Sequence, residues 1–96
     1  MPHYLITCHD KPNSLELRLA TRAAHLQYVD TFAGTRKVAG PMLDADGKPK
    51  GSAFILDLEN IEAAEDFVKN DPYSGAGLFA SHSIEVFNPL MGQWVG

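Results

Sequence analysis

The order of the chain's hydrophobic patterns is the feature that most restricts its fold. Short segments rich in aromatic and β-branched residues, typical of strands, alternate with two longer segments whose apolar residues recur every three or four positions, typical of helices. The predicted strands cover Tyr4 to Cys8, Thr35 to Ala39, Ser52 to Leu58 and Phe79 to Phe87. The predicted helices cover Ser14 to Ala33 and Ile61 to Asn70. The element order is therefore β-α-β-β-α-β.

Two strand–helix–strand units with right-handed crossovers form a split-βαβ plait, so the predicted fold is α+β and ferredoxin-like. Its four strands would form one antiparallel sheet with two helices on one face. The opposite face would be bare in a monomer, exposing either His3, Leu5 and Thr7 or the alternate residues of the first strand. A homodimer through this face is therefore expected. The 96 residues are expected to form a single domain, 1–96.

The first predicted helix has one apolar stripe, made of Leu15, Leu19, Ala23, Leu26, Val29 and Ala33. Asn13 with Glu16 three residues later resembles a capping box, and Ser14 is the competing N-cap. Gly34 follows at the position where a helix often ends in a left-handed residue. Relative to this stripe, His25 is expected at the border between core and solvent.

Composition argues against several classes of function. The formal net charge is -4 and the eight basic residues are scattered, so no nucleic acid partner is expected. Cys8 is the sole cysteine and a poor nucleophile in mid-strand. There is no metal-ligand pattern and no phosphate loop, so no metal and no cofactor are expected. No apolar run approaches the roughly 20 residues that span a membrane, and no signal peptide is recognisable, so the expected compartment is the cytoplasm.

His25 and Asp71 form the candidate catalytic pair. A carboxylate fixes the tautomer of an imidazole and stabilises its charged form, so such a pair can move protons near neutral pH. Because the two helices lie side by side in a plait, a residue just past the second helix can approach the first. Each residue also has a purely structural explanation: His25 as a half-buried histidine, and Asp71 before Pro72 as the start of a turn. Both explanations remain open.

Four further residues are candidates for binding a substrate. Gly40 and Pro41, after the second strand, form a close-approach turn that could place backbone amides beside a ligand, and Ser52 enters the third strand in a similar setting. Tyr73 could donate its phenolic hydrogen to a substrate oxygen. Arg22 could bind a carboxylate ligand bidentately, although an arginine on a helix surface usually faces solvent or pairs with a nearby acid.

A series of short motifs along nearly the whole chain resembles the YCII-related (YciI-like) family. The motifs are Tyr4-Leu5-Ile6, Asp10, Ser14-Leu15-Glu16-x-Arg18, Arg22-x-x-His25-Leu26, Ala39-Gly40-Pro41-Met42, Gly51-Ser52, Glu62-Ala63-Ala64, Asp71-Pro72-Tyr73 and Ile84-x-Val86-x-x-Pro89. The resemblance implies a dimeric ferredoxin-like α+β fold and an active site made of His25 and Asp71. At least one kind of member is linked to dehydrochlorination of a chlorinated hydroxyhydroquinone, an elimination that needs no cofactor. The loop from Asp44 to Lys50 and the tail around Trp94 depart from the family pattern.

We therefore expect a small cytoplasmic enzyme that performs lyase- or isomerase-type proton transfer on a small, cyclic or aromatic organic molecule. His25 would be the general acid/base and Asp71 would orient it. The alternative is a non-catalytic small-molecule-binding or dimerisation module in which the pair is structural. The surroundings of His25 separate the two: a cleft open to solvent favours the enzyme, and a closed apolar environment favours the module.

Overall fold

The computed structural model describes residues 2–94, which form one four-stranded sheet and three helices. In chain order the elements are β1 (His3–Asp10), α1 (Leu15–Asp30), β2 (Arg36–Leu43), β3 (Pro49–Asp57), α2 (Ile61–Asn70), α3 (Pro72–Gly75) and β4 (Phe79–Phe87). The predicted β-α-β-β-α-β order is confirmed, with the short helix α3 added between α2 and β4. No helix in this part of the chain is long and apolar enough to cross a membrane.

The sheet has the strand order β2-β3-β1-β4, and all its pairs are antiparallel. The strand residues that face the helices alternate along the two central strands, and with residues of α1 and α2 they form the core. The buried members from the two strands are Tyr4, Ile6, Cys8, Phe54, Leu56 and Leu58. The intervening residues of β1, His3, Leu5 and Thr7, lie on the opposite face and are half-buried. The predicted ferredoxin-like plait is confirmed.

Helix α2 begins and ends where its sequence predicts. The side chain of Asn60 accepts a hydrogen bond from the backbone N–H of Ala63 at 2.9 Å, which is the usual N-cap contact. The helix ends after Asn70 because Asp71 precedes a proline and adopts an extended backbone with ψ 131°. The chain then enters α3 directly, with Pro72 at its first position. This junction fixes the position of Asp71.

Helix α1 is shorter than predicted and has different caps. It begins at Leu15 after Ser14, which makes no side-chain hydrogen bond to the helix, and Asn13 is left-handed (φ 58°) rather than part of a capping box. The helix ends at Asp30 instead of Ala33, because the chain turns back through Thr31 N–H and Phe32 N–H bonds to the last helical carbonyls. Gly34 does not have a positive φ, so the predicted left-handed helix end is wrong.

The buried face of α1 is also different from the predicted apolar stripe. Its buried residues are Arg18, His25 and Val29, whereas Leu19 and Leu26 are 57% and 47% exposed. His25 is only 8% exposed, so it is more deeply buried than its expected position at the border of the core, although its ring still lines a cleft. The helix is rotated relative to the predicted stripe because Arg18 and His25 pair with buried carboxylates. A polar group that is paired in this way can be buried without a large free-energy cost.

Strands β2 and β3 extend further toward each other than predicted. Gly40 and Pro41 lie within β2, which runs on to Leu43, so they are strand residues and not a turn. A proline is tolerated there because β2 is an edge strand. The connecting loop is shortened to residues 44–48, where the carboxylate of Asp44 accepts hydrogen bonds from the backbone of Asp46 and Lys48.

Gly51 is required by the close approach of β3 to β1. A Cβ added at this position would overlap the carbonyl oxygen of Cys8. We therefore expect Gly51→Ala to lower the free energy of unfolding by about 1–3 kcal/mol, the usual cost of overpacking. The measurement is urea denaturation. Gly34→Ala is the matched control, because nothing lies within 4 Å of its added Cβ, and equal stability of the two variants would contradict the prediction.

Candidate active site

His25 and Asp71 are in direct contact between α1 and the start of α3. The Nδ1 atom of His25 lies 2.9 Å from one carboxylate oxygen of Asp71 and 3.0 Å from the other. An ionised carboxylate can only accept, so Nδ1 carries the proton and Nε2 is the basic nitrogen of the neutral ring. Both hydrogen bonds of His25 within the described residues use Nδ1, which leaves Nε2 available to a ligand.

The carboxylate of Asp71 has a second, structural role. Its Oδ1 atom also accepts the backbone N–H of Tyr73 at 2.9 Å, so Asp71 is the N-cap of α3. The side chain is 1% exposed. The two explanations left open by the sequence, a turn residue and a partner of His25, are therefore both satisfied by the same group.

The ring of Tyr73 connects this pair to a second polar contact. It stacks on the imidazole of His25 with ring centroids 4.0 Å apart and planes 17° apart. The guanidinium carbon of Arg18 lies 4.6 Å from the centroid of the same ring. Burial raises the pKa of the Tyr73 hydroxyl, and the nearby charge of Arg18 partly opposes this. The phenol is therefore neutral near pH 7 and can donate a hydrogen bond.

Arg18 is the site residue that the sequence interpretation did not select. Its Nε and Nη2 atoms contact the two carboxylate oxygens of Asp10 at 2.7 and 3.3 Å, and both side chains are almost fully buried. A signal for this contact was present: Arg18 and His25 are seven residues apart, which places them two turns apart on one helix face. Asp10 ends β1 just before α1, so it is an acid that a buried arginine on this helix face can reach.

Ser52 is oriented by the same arginine. Nη2 of Arg18 lies 2.6 Å from Ser52 Oγ, and since a guanidinium only donates, Oγ is the acceptor. No second side-chain partner of this oxygen occurs in the part of the chain that the structure describes. The hydrogen of the Ser52 hydroxyl is therefore left to donate to a ligand.

A cleft of about 340 Å³ lies against α1, β2 and β3, at the low end of the usual size of small-molecule sites. The predicted substrate-binding residues that line it are Gly40, Pro41, Ser52 and Tyr73. His25 lines the same cleft, and Asp71 supports its ring without lining the cleft. The structure thus brings all six predicted site residues together, although their roles stay predictions.

Nucleophilic catalysis by Cys8 and metal binding have less support from the described residues. Burial raises the pKa of the Cys8 thiol to about 12, so this thiol is a poor nucleophile at neutral pH. No group of three or more His, Cys, Asp or Glu side chains suited to a metal ion occurs within residues 2–94. A larger cavity of about 930 Å³ lies elsewhere, between residues of the sheet such as His3 and Ile55 and the segment 87–94, and it does not include His25.

The buried Arg18–Asp10 pair predicts a clear stability effect. Arg18→Gln leaves the Asp10 carboxylate buried without its partner, so we expect a loss of about 3 kcal/mol in the free energy of unfolding. Arg22→Gln removes the same charge from an exposed position on the same helix, and we expect it to change stability by less than about 0.5 kcal/mol. Urea denaturation of both variants measures the difference. Similar losses in the two would contradict the buried ion pair.

Comparison with known proteins shows the family of the chain and agrees with its fold. The profile of the YCII-related domain family matches residues 2–88. Protein YciI of Escherichia coli O6:H1 is 36% identical over 95 residues, covering 91% of this chain and 97% of that protein. Among solved structures, 5-chloro-2-hydroxyhydroquinone dehydrochlorinase (TftG) from Burkholderia phenoliruptrix AC1100, in complex with 2,5-dihydroxybenzoquinone, is 36% identical with a TM-score of 0.86, covering 90% of this chain and 93% of that chain. An antibiotic biosynthesis monooxygenase shares the fold alone, with 10% identity, a TM-score of 0.56, and coverage of 92% and 97% of the two chains.

Proposed function

This chain belongs to the YCII-related domain family, and from that premise we propose that it is a cofactor-independent acid–base enzyme acting on a small, cyclic or aromatic organic molecule. His25 is the general acid/base and Asp71 orients it. The observation that carries the proposal is the 2.9 Å contact between His25 Nδ1 and the buried Asp71 carboxylate at the wall of a cleft. We propose the cytoplasm as its compartment, because its one cysteine is a free, buried thiol.

The proposed chemistry follows from the protonation of the ring. Nε2 of His25 accepts a proton from the substrate, while the Nδ1 proton stays on the hydrogen bond to Asp71. The resulting imidazolium is stabilised by the adjacent carboxylate, and it can then return the proton to product or solvent. Positioned acid–base catalysis contributes on the order of 10² to 10⁴ in rate. Such a pair therefore suits a substrate that is already activated.

The likeness to TftG suggests an elimination as the first reaction to test. In dehydrochlorination, one proton is removed from the substrate and chloride leaves with the electrons of the carbon–chlorine bond, so no oxidant or reductant is needed. In this chain Ser52 and Tyr73 would donate hydrogen bonds to substrate oxygens. Gly40 and Pro41 would form the wall opposite α1, where the small glycine allows a flat ring to approach the backbone.

The alternative function is a non-catalytic binding or dimerisation module. It is supported by the close packing of His25, whose ring lies 4.0 Å from that of Tyr73 and 6.1 Å from that of Phe54. It is also supported by the second cavity on the uncovered sheet face. In this case the His25–Asp71 contact would only hold α1 against α3. Removing Nε2 of His25 would then leave any measured reaction rate unchanged.

Turnover by a His25→Asn variant distinguishes the two functions. An asparagine amide can replace the Nδ1–H donor to Asp71 but has no counterpart of Nε2, so we expect chloride release from 5-chloro-2-hydroxyhydroquinone to fall by about 10² to 10⁴. His25→Ala is less informative, because it would leave the buried Asp71 carboxylate without its main partner. Asp71→Asn should also slow the reaction, since a neutral amide cannot stabilise the imidazolium.

The matched control for this experiment is His82→Asn. His82 is an exposed histidine that pairs with Glu65 at the surface, and its loss should leave the rate unchanged. Circular dichroism and urea denaturation of each variant check that the fold is retained. A folded His25→Asn protein with the full wild-type rate would overturn the proposed function.

We further propose that the protein is a homodimer through the uncovered face of the sheet. This face carries Leu5 and Ile55, and the segment next to it exposes Leu90, Met91 and Trp94 by 74%, 82% and 82%. Contiguous apolar surface of this kind marks interaction sites.

Light scattering on the eluted protein tests the dimer. We expect about twice the chain mass of 10.5 kDa, and a fall to the monomer mass for Ile55→Glu, because a charge on this face opposes association. Glu62→Lys, on the exposed side of α2, is the control and should remain dimeric. A wild-type mass of 10.5 kDa at micromolar concentration would contradict the proposal.

A further inference from the structure

The cleft beside His25 contains a concentration of one kind of charge. All three arginines of the chain, Arg18, Arg22 and Arg36, line it, and none of the five lysines does. No Asp or Glu lines it, although the chain as a whole has a formal net charge of -4. A cleft lined by one sign of charge focuses the electrostatic field. Arginine, with its planar fork of donors, is the cation best suited to binding a flat oxyanion.

Two of these arginines already have partners in the protein. Arg18 pairs with Asp10, and Arg36 lies 3.7 Å from Asp30 and donates to the backbone carbonyl of Val29. Arg22 makes no ion pair with any residue in the range 2–94, and its side chain is exposed at the cleft. Its positive charge nevertheless acts on the site. It lowers the pKa of the Tyr73 hydroxyl and so opposes the increase that burial causes.

The surface around Arg22 is apolar. Leu19 and Leu26, on the same helix, line the cleft and are 57% and 47% exposed. Ala39 and Pro41 of β2 line the cleft as well. A ligand that fits here therefore has an apolar body that contacts the leucines and the proline. It also carries one charged group that the arginine can bind.

We propose that the cleft takes a small planar organic anion and that Arg22 binds its ionised oxygen, whether phenolate, enolate or carboxylate. Arg22 and His25 are three positions apart on α1, so their Cβ atoms are about 5–6 Å apart. Both side chains line the same cleft, so one small ring can contact Arg22 through an ionised oxygen and His25 through another of its atoms. Ser52, with its free hydroxyl hydrogen, supplies a second donor. This inference rests on the proposed function because it assigns the substrate class of the same cleft.

The experiment measures binding separately from turnover. The probe is 2,5-dihydroxybenzoquinone, which is ionised in neutral solution, titrated into the full-length protein by calorimetry. We expect Arg22→Gln to weaken binding by about tenfold or more, as for loss of a charge-assisted bidentate contact, and Arg22→Lys to restore part of it. Lys37→Gln is the matched control, because Lys37 lines the other cavity, and it should bind within about twofold of wild type.

A second comparison tests charge at constant shape. Benzoate and benzamide are nearly isosteric planar molecules, and only benzoate is an anion. We expect benzoate to compete with the probe and benzamide not to compete. Equal competition, no binding of the probe to the wild-type protein, or equal losses in Arg22→Gln and Lys37→Gln would each overturn the inference.

The same variants separate this inference from the proposed function. If His25→Asn binds the probe normally but loses turnover, and Arg22→Gln loses binding, both proposals stand. If Arg22→Gln loses binding while His25→Asn keeps full turnover, the anion site stands and the acid–base function fails. If His25→Asn is inactive while Arg22→Gln binds and reacts like wild type, the acid–base function stands and the anion site fails.

Discussion

The buried carboxylate of Asp71 is the group on which the rest of the arrangement depends. A carboxylate that is 1% exposed is costly unless it is paired and hydrogen-bonded. Its partners come from two elements, the imidazole of His25 on α1 and the backbone N–H of Tyr73 in α3. Its position before Pro72 also ends α2. One side chain therefore fixes the relative positions of all three helices, and its requirement for donors holds the ring of His25 in a single tautomer.

The polar core and the cleft share the same residues. Asp10 with Arg18 and Asp71 with His25 attach α1 to β1 and to α3, and the ring of Tyr73 contacts both pairs. This arrangement turns Leu19 and Leu26 outward, where they become part of the cleft instead of the core. Stability and ligand binding therefore depend on overlapping groups. A substitution that is not close to isosteric at these positions changes both, which is why His25→Asn is more informative than His25→Ala.

The features that the sequence predicted correctly are those set by local chemistry. Asn60 and Pro72 fix the two ends of α2, and the alternation in β1 and β3 fixes the sheet. The contact of His25 with Asp71 was expected from the element order, which allows the end of one helix to approach the other, together with the resemblance to the YCII-related family. These three inferences needed only short-range signals, a known topology and, for the His25–Asp71 pair, that resemblance.

The rotation of α1 and the role of Arg18 could not be predicted in the same way. The hydrophobic pattern of α1 leaves Arg18 outside the apolar stripe, because it takes no account of a buried carboxylate partner that is eight residues away in another element. The length of β2 was missed for a related reason. A proline such as Pro41 is expected to end a strand unless the strand lies at the edge of its sheet. Whether β2 is an edge strand depends on the order of all four strands, which a local pattern does not give.

The central position of β1 has a consequence for how the protein forms during synthesis. This strand leaves the ribosome before the other three, yet its two neighbours are β3 and β4, and Tyr4 pairs with Leu56 on one side and Val86 on the other. Strand pairings between residues so distant along the chain slow folding, because the intervening loop must be closed before the contacts form. The nascent chain must therefore keep an apolar strand unpaired until most of it has been translated. During that interval the unpaired strand is prone to aggregation.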